Sequence, residues 1–333
     1  MKIMNGDYEK TRDERLIEKQ DYFMSTIVTQ KIYGHNSLEA YNNVLVEIQE
    51  LENLMSFFKD SSDVSILNRM AGKGVVKLSK KTIDVLACAK DHENICRGAF
   101  DITIAPIIDL WRRCGRLSKI PGQKEVEETL KCVDCRSLHV DRINNMASLA
   151  HEGQLVDLGG IAKGYAADIA VEIYAGMGIK SAIVDLGGNV FCVGNKPDGN
   201  PWTVGIQRPY AARGVSIAVL QVTNKTIVTS GDYERFIKVN GKNYHHIIDP
   251  RTGYPADSNL ESATVICENS MKADILSTAA FVLGLNEGME VIGKVNDVEA
   301  ILVTKDKEVF ITKGLRDCFH CLDSGNDYKY YIY

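Results

Sequence analysis

The sequence lacks the features by which several large classes of protein are recognised. It has no run of about 18 apolar residues, so no segment is expected to span a membrane or to anchor the chain in one. It also lacks a long Lys/Arg cluster, and its 39 Lys and Arg against 44 Asp and Glu give a formal charge of −5. Neither nucleic acid nor an anionic membrane surface is therefore an expected partner.

The beginning of the chain lacks the marks of a targeting segment. It has no apolar stretch, no small-residue cleavage site and no cysteine after such a stretch, so a cytoplasmic location is expected. Because residues 1–22 are charged and show little apolar periodicity, they are predicted to form an N-terminal arm or a frayed helix. Residues 23–333 are predicted to form a single domain, since no low-complexity linker divides them.

The 9 cysteines are an odd number in a long chain, which argues against a disulfide framework. Two C-x-x-C pairs, Cys132/Cys135 and Cys318/Cys321, have a spacing that a zinc site could use. Both pairs lie in strand-like surroundings without a glycine-rich knuckle. Buried free thiols are therefore the preferred interpretation.

Hydrophobic periodicity predicts long helices together with many short strands. Helices are predicted at 37–58 and at about 79–97, 160–177 and 270–292. Strand-like runs lie at 137–142, 147–150, 154–158, 181–186, 190–193, 202–206, 215–222, 226–229, 235–239, 263–267, 299–303 and 308–312. Because strands and helices do not strictly alternate, the fold class is predicted as α+β, with mixed, largely antiparallel sheets and flanking helices.

The first candidate site is the segment VDLGGIAKGY at 156–165. Gly159 and Gly160 permit a tight turn before a helix, whose N-terminus presents free N–H groups to an anion, and Lys163 adds a cation. Asp157 beside a phosphate would need a metal or an amide partner. A plain strand-to-helix connection explains the glycines equally well. The phosphate-binding loop and the dinucleotide fingerprint are both absent.

A candidate metal site lies on the helix predicted at 270–292. Asp274 and Thr278 are four residues apart and share a helix face. A carboxylate and a hydroxyl oxygen, completed by phosphate, carbonyl and water oxygens, suit a hard cation such as Mg²⁺. The spacing alone is also that of an ordinary helix start with an inward-packed Thr.

A third region contains His245 and His246, followed by the turn Asp-Pro-Arg-Thr-Gly at 249–253. Neighbouring strand residues point to opposite faces, so one histidine per face is expected. One of them could act as a general base, and a structural hydrogen-bonding role is equally compatible.

Taken together, these segments closely resemble the ApbE flavin transferases, the FAD:protein FMN transferase family. The resemblance covers about residues 23–320 and rests on the order and spacing of several modest motifs. These motifs are FMST (23–26), FF (57–58), DVSILN (63–68), GAFD (98–101), DLW (109–111), VDLGGIAKGYAAD (156–168), VDLGGN (184–189), TSGDYERF (229–236), HHIIDPRTGYP (245–255) and MKADILSTAAFVLG (271–284).

The resemblance implies a fold, a reaction and a set of roles. The fold is ApbE-like and related to the T-fold, and the reaction transfers FMN from FAD to a Ser or Thr hydroxyl of a target flavoprotein, with release of AMP. Mg²⁺ would be bound by the side chains of Asp274 and Thr278 and by the Gly160 carbonyl. His246 would orient or deprotonate the incoming hydroxyl. The positions that correspond to FAD contacts are Met24, Phe58, Ala99, Phe100, Asp101, Asp157, Lys163 and Ile247.

Two departures from the family pattern leave alternatives open. Ser25 replaces the usual Gly after Met, which gives the backbone less freedom there. Phe58 stands where many transferases have Tyr. Some family members hydrolyse FAD to FMN and AMP, so an FAD pyrophosphatase is one alternative reading. A flavin-binding carrier without turnover is another, although the presence of both Asp274 and Thr278 argues against it.

Overall fold

The computed structural model describes residues 16–233, 236–239, 242–323, 325 and 327–333. Its helices are α1 (Ser37–Met55), α2 (Asp63–Arg69), α3 (Lys80–His92), α4 (Ala105–Arg116), α5 (Gln123–Leu130), α6 (Ala162–Gly176) and α7 (Ser270–Ile292). Its strands are β1 (Leu16–Phe23), β2 (Thr26–Tyr33), β3 (Val76–Lys77), β4 (Leu138–Asp141), β5 (Met146–Leu149), β6 (Ser181–Leu186), β7 (Asn189–Val193), β8 (Trp202–Gln207), β9 (Ser216–Val222), β10 (Lys225–Gly231), β11 (Phe236–Val239), β12 (Lys242–His245), β13 (Leu260–Cys267), β14 (Glu299–Thr304), β15 (Glu308–Ile311), β16 (Phe319–Cys321) and β17 (Lys329–Ile332).

A 9-stranded sheet in the order β1-β2-β6-β7-β10-β13-β14-β15-β17 organises the molecule. Its strand pairs are antiparallel except for β15 and β17, which are parallel. Smaller sheets are formed by β16-β9-β8, β3-β5-β4 and the β11-β12 hairpin. The predicted α+β class with largely antiparallel sheets and flanking helices is confirmed.

Both faces of the large sheet are buried, and this explains the apolar character of its central strands. On β13, Val265 belongs to the core shared with α1, α6 and α7, while the next residue, Ile266, belongs to a second core under β8 and β9. Alternate residues of β14 divide in the same way, as do Ile227 and Val228 on β10. A strand that is covered on both faces reads as a continuous apolar run.

Helix α7 is central to the first core. By length and composition it is apolar enough to cross a membrane, but 67% of that stretch is buried inside the protein. Its apolar character therefore has an explanation in packing. Gly284 interrupts the helix with a φ of 80°, and Asn259 Oδ1 accepts a hydrogen bond from Leu285 N at 3.1 Å where the helix resumes.

The prediction of an N-terminal arm at residues 1–22 is wrong for 16–22. Strand β1 pairs along its whole length with β2, from Leu16 opposite Tyr33 to Phe23 opposite Thr26. Most of its side chains are exposed or half-buried, so the backbone ladder forms without the apolar alternation that would reveal it. Residues 1–15 lie outside the described residues.

Other predicted boundaries differ from the structure for local reasons. Helix α1 ends at Met55 because Ser56 adopts an extended backbone, and its hydroxyl accepts hydrogen bonds from the N–H groups of Phe58 and Lys59. The strand predicted at 154–158 is not formed; only an isolated bridge joins Leu155 to Ile104. Strand β6 and helix α7 have the predicted bounds.

Candidate flavin site

The glycine-rich segment before α6 is held from both sides by backbone hydrogen bonds. Asn68 donates to the Val156 carbonyl at 3.0 Å and accepts from Val156 N at 2.7 Å, so one amide side chain pairs with this residue as a strand would. Asp157 N donates to the Ile102 carbonyl at 2.9 Å. These hydrogen bonds fix the position of the turn that follows.

The Asp157 carboxylate accepts a hydrogen bond from Gly159 N at 2.7 Å. Gly159 N is therefore the amide partner that we expected for an acid beside a phosphate site. A Cβ at Gly160 would lie 3.2 Å from the Phe100 ring, so the glycine allows the 98–101 segment to approach the turn. Phe100 is 6% exposed and Ala99 is 1% exposed, and both belong to the core beneath.

The N-terminus of α6 is packed directly against the N-terminus of α7. A Cβ at Gly164 would lie 2.4 Å from the Ser270 carbonyl oxygen, a distance that only glycine accommodates. Gly164 N donates to Asp274 Oδ2 at 3.1 Å across a separation of 110 residues. The two motifs identified from the sequence are thus brought together, and Asp274 is buried between them at 4% exposure.

Lys163 lies in the first turn of α6, as predicted, and its ammonium group turns toward the same acid. Its Nζ is 3.6 Å from Asp274 Oδ1 and donates to Asn189 Oδ1 at 3.2 Å. Burial raises the pKa of the Asp274 carboxyl, and the Lys163 charge opposes that rise. The buried Asp274 carboxylate is therefore partly balanced by the Lys163 ammonium group. Both lie at the N-terminus of α6, the helix end that favours anions.

Thr278 lies one turn along α7 from Asp274, so the predicted shared face is confirmed. Its hydroxyl is 3.2 Å from Ser230 Oγ at the end of β10. Within the described residues, no group of three or more His, Cys, Asp or Glu is arranged to hold a metal. The Asp274 carboxylate and the Thr278 hydroxyl, on the same helix face, are oxygen donors of the kind that a hard cation binds together with phosphate and water oxygens.

The C-x-x-C pairs do not form a metal centre in the part of the chain that the structure describes. The expectation of buried thiols is confirmed for Cys135 and wrong for Cys321, which is exposed, while Cys132 and Cys318 are half-buried. Cys135 belongs to the core beneath α3, and Cys318 packs against the separate core beneath β9.

The two histidines differ in exposure, but His246 lies in a bend after β12, so the expected alternation of neighbouring strand residues does not apply to it. His245 is half-buried at the end of β12; its Nε2 is 3.0 Å from the Ala256 carbonyl, and its ring meets Phe281 of α7 edge-on at 5.6 Å. Burial lowers the pKa of His245. His246 is exposed, while Ile247 is 8% exposed and its carbonyl accepts from Ala256 N at 3.0 Å. The half-buried His245 packs against α7, whereas the His246 side chain lies at the surface.

Met24 and Ser25 form the turn between β1 and β2 with positive φ angles of 49° and 59°. Ser25 thus occupies a conformation that glycine adopts more easily, in line with the family's Gly at this position. Met24 N donates to Glu52 Oε2 at 3.0 Å, and Lys59 Nζ donates to Glu52 Oε1 at 3.4 Å. Glu52 therefore links the Met24 turn to the Phe58 loop.

Phe58 is 75% exposed, and the Arg112 guanidinium carbon lies 5.1 Å from the centre of its ring. This pair presents a flat aromatic and cationic surface to solvent. Asp101 plays a visible structural part, because its carboxylate accepts from Thr103 N and Thr103 Oγ1, both at 2.6 Å, and from Cys135 N at 3.0 Å. It holds the loop that carries Ala99 and Phe100.

Sequence reasoning missed Asn189 and Ser230 as members of this cluster. Both stand within motifs that were recognised, VDLGGN and TSGDYERF, but as the residues beside the expected ones. Asn189 is 2% exposed, and although its Nδ2 makes no hydrogen bond of normal geometry among the described residues, its amide is close enough to Asp274 to help lower the pKa of that carboxyl. The motif position was the available signal.

A cleft of about 570 Å³ adjoins the segment that follows His246 and Ile247. It is lined by 249–259 on one side and by 282–287, at the α7 interruption, on the other. Arg251 makes a bidentate ion pair with the buried Asp249 in its wall, with the closer pair of atoms at 2.8 Å.

The fold and the site define an α+β protein that presents a glycine-rich helix N-terminus beside a buried carboxylate, an arrangement suited to a phosphate-bearing ligand. A model described as the ApbE family matches residues 24–302. An FAD:protein FMN transferase of Klebsiella pneumoniae is 32% identical over 94% of this chain and 97% of its own length. Another, of Treponema pallidum, is 30% identical over 93% of this chain and 90% of its own.

Solved structures agree with these relatives. An ApbE protein of Thermotoga maritima is 30% identical with a TM-score of 0.80, covering 87% of this chain and 95% of its own. The flavin transferase ApbE of Vibrio cholerae is 25% identical with a TM-score of 0.81, covering 92% and 99%. The chain belongs to the ApbE family, and the resemblance read from its motifs is confirmed.

Proposed function

We propose that this protein is an FAD:protein FMN transferase that uses Mg²⁺ to move FMN from FAD to a Ser or Thr hydroxyl of a target flavoprotein. The observation that carries the proposal is the contact between Gly164 N and Asp274, which joins a helix N-terminus suited to a pyrophosphate to a buried acid suited to a cation. The family, and the activity for which its relatives are named, identify the ligand as FAD.

The residues present fit a bound Mg²⁺. Asp274 and Thr278 would supply side-chain oxygens and Gly160 a carbonyl oxygen, and the amide of the buried Asn189, whose Nδ2 makes no hydrogen bond of normal geometry among the described residues, lies beside Asp274. When bound, the ion neutralises charge that develops on the phosphoanhydride as it breaks. Lys163 offsets the Asp274 charge and adds a cation on the same side.

The remaining predicted contacts would bind the rest of FAD. The N-terminus of α6 would bind the pyrophosphate. The segment that contains Ala99 and Phe100 packs against the glycine turn that precedes this helix. The Phe58 ring, with Arg112 over it, offers a stacking surface for a planar ring of the ligand. Met24, Asp157 and Ile247 would contribute further contacts from their loops, and Asp101 holds the loop that carries Ala99 and Phe100.

In the transfer step, the acceptor oxygen forms a bond to the FMN phosphorus as the anhydride bond to AMP breaks. The hydroxyl proton needs a base, and we assign it to the exposed His246 rather than to His245, whose Nε2 is engaged with the Ala256 carbonyl. AMP leaves with the electron pair of the broken P–O bond. The product is a phosphoester between FMN and the acceptor.

The second candidate function is hydrolysis of FAD to FMN and AMP, with water in place of the acceptor hydroxyl. Phe58 favours this candidate, since it stands where many transferases of the family have Tyr. The exposed ring keeps the stacking surface but offers no hydroxyl for positioning an acceptor or a flavin.

Chromatography of the nucleotides after incubation with FAD, Mg²⁺ and an acceptor protein of a similar transferase tests the proposal. We expect AMP without an equal amount of free FMN, because FMN stays on the acceptor. Equal amounts of AMP and free FMN would support the hydrolase instead. Unchanged FAD would contradict both activities.

A further inference from the structure

Three hydroxyl groups connect strand β10 to the proposed cation ligand on α7. Ser230 Oγ lies 3.2 Å from Thr278 Oγ1 and 3.0 Å from Ser277 Oγ. Ser277 Oγ lies 3.1 Å from the backbone carbonyl oxygen of Asp274. Ser277 is 0% exposed, so these partners are not replaced by bulk water.

The direction of the protons in this series follows from its last member. A carbonyl oxygen only accepts, so Ser277 donates its one hydroxyl proton to the Asp274 carbonyl. Ser277 Oγ must then accept the proton of Ser230, and Ser230 Oγ must accept the proton of Thr278. Since each hydroxyl carries a single proton, this is the arrangement that satisfies all of these contacts together.

The direction matters because a hydroxyl that binds a cation must turn its lone pairs toward the ion and its hydrogen away from it. A helical Thr ordinarily places that hydrogen on the carbonyl one turn back, which for Thr278 is the Asp274 carbonyl. Ser277 already donates its side-chain proton to that oxygen. Ser230 offers Thr278 another acceptor.

We propose that Ser230 is a positioning residue for the cation site: by accepting the Thr278 proton, it directs the lone pairs of Thr278 Oγ1 toward the bound ion. Its own position is fixed, because β10 pairs with β7 on one side and with β13 on the other, where Ser230 lies opposite Ala263. The inference rests on the proposed function, since it assumes a cation at Asp274 and Thr278.

The strand itself provides a matched control. Thr229, the preceding residue, points to the opposite face, is half-buried like Ser230, and makes its own hydroxyl contact with Thr264 Oγ1 at 2.9 Å. Thr229→Val removes one hydroxyl from the same strand without touching the series that ends at Asp274. It therefore measures the general cost of such a deletion.

Metal affinity tests the proposal independently of turnover. Mn²⁺, a hard cation that accepts similar oxygen ligands, is titrated into the protein with ADP present, and free Mn²⁺ is followed by electron paramagnetic resonance. Loss of one net hydrogen bond predicts that Ser230→Ala weakens Mn²⁺ binding roughly three- to tenfold. Thr229→Val should stay close to wild type. If Ser230→Ala folds poorly, Ser230→Cys serves in its place: it keeps the shape of the side chain at a slightly larger volume, replaces the acceptor by a weaker one, and should also weaken Mn²⁺ binding.

A double-mutant comparison separates positioning from general damage. In Thr278→Val protein no hydroxyl remains to be oriented, so adding Ser230→Ala should weaken Mn²⁺ binding no further. Equal losses in the two backgrounds, or wild-type affinity in Ser230→Ala, would overturn the role of Ser230. Failure of the wild-type protein itself to bind Mn²⁺ would instead contradict the cation site of the proposed function.

Discussion

At the scale of single residues, the two adjacent histidines differ because β12 ends at His245 and the chain bends at His246. His245 turns inward against Phe281 and the Ala256 carbonyl, while His246 faces outward next to the cleft that begins at Asp249. Two identical neighbouring residues thus have different surroundings, and the two predictions that follow test what each contributes.

His246→Ala is expected to reduce the rate of FMN transfer at saturating FAD. Loss of a general base lowers rates by roughly 100-fold to 10,000-fold, while the binding of FAD should change little. Single-turnover measurement of acceptor labelling checks this. His139→Ala, at an exposed position on β4, is the control. An unchanged rate in His246→Ala would return that histidine to a structural role.

His245 predicts a pH dependence of stability. Because burial lowers its pKa in the folded protein, the unfolded chain binds the proton more readily. The stabilisation is complete above the unfolded-state pKa near 6.5 and is lost as the pH falls below it. His245→Gln, which can still donate to the Ala256 carbonyl, should show a shallower fall in melting temperature between about pH 7 and pH 5. Parallel curves for variant and wild type would rule this out.

At the scale of elements, the site depends on how closely the N-termini of α6 and α7 pack. Asp168 of α6 accepts hydrogen bonds from Ser270 N at 2.7 Å and Met271 N at 2.9 Å. A side chain of α6 thus caps the N-terminus of α7. Gly164 removes the side chain that would keep the helices apart. The distance between Gly160 and Asp274 is therefore set by helix packing as well as by the loop.

Gly164→Ala should separate the two helices and disturb the site. The added Cβ would meet the Ser270 carbonyl oxygen at 2.4 Å, and overpacking of this kind costs roughly 1–3 kcal/mol. Gly176→Ala, at the other end of α6, meets nothing within 4 Å and should be neutral or stabilising. Urea unfolding of both variants, with Mn²⁺ binding measured alongside, makes the comparison. Equal stability of the two variants would show that the packing is not tight.

Sequence reasoning predicted the strongly periodic elements well and the quieter ones poorly. α7 and β6 have the predicted bounds because buried apolar residues dominate them. β1 and the short helices α2, α4 and α5 were not predicted, because their formation depends on neighbours rather than on their own pattern. Helix α2, for example, begins at a cap where Ser62 accepts from Ser65 N, a local bond that periodicity does not reveal.

The candidate site divides in a similar way. The motif around Gly160 and the pair Asp274/Thr278 were identified from spacing, but spacing alone left both with ordinary structural explanations. Their meeting across 110 residues required the tertiary fold. The direction of the Lys163 side chain toward Asp274, and the presence of Asn189 and Ser230, likewise came from packing.

At the scale of the whole molecule, the large sheet acts as the frame on which distant loops are gathered. Strands β6, β7 and β10 lie side by side in the sheet. They bring three features to the region of α6 and α7: the turn after Leu186, the side chain of Asn189 and the side chain of Ser230. The turn between β1 and β2 lies next to the turn after Leu186, because Gly187 N donates to the Ile27 carbonyl at 3.1 Å. Residues far apart in the chain therefore meet, as Lys163 does with Asn189 and Ser230 with Thr278.

The central claim is that this centre moves FMN onto a protein, and the intact mass of the acceptor tests it most directly. With wild-type enzyme, FAD and Mg²⁺, the acceptor should gain the mass of one FMN less one water, and an equal amount of AMP should appear. Asp274→Asn should leave the acceptor unlabelled, whereas Asp141→Asn, at the end of β4, should label it normally. An acceptor of unchanged mass with wild-type enzyme, or full labelling by Asp274→Asn, would contradict the account.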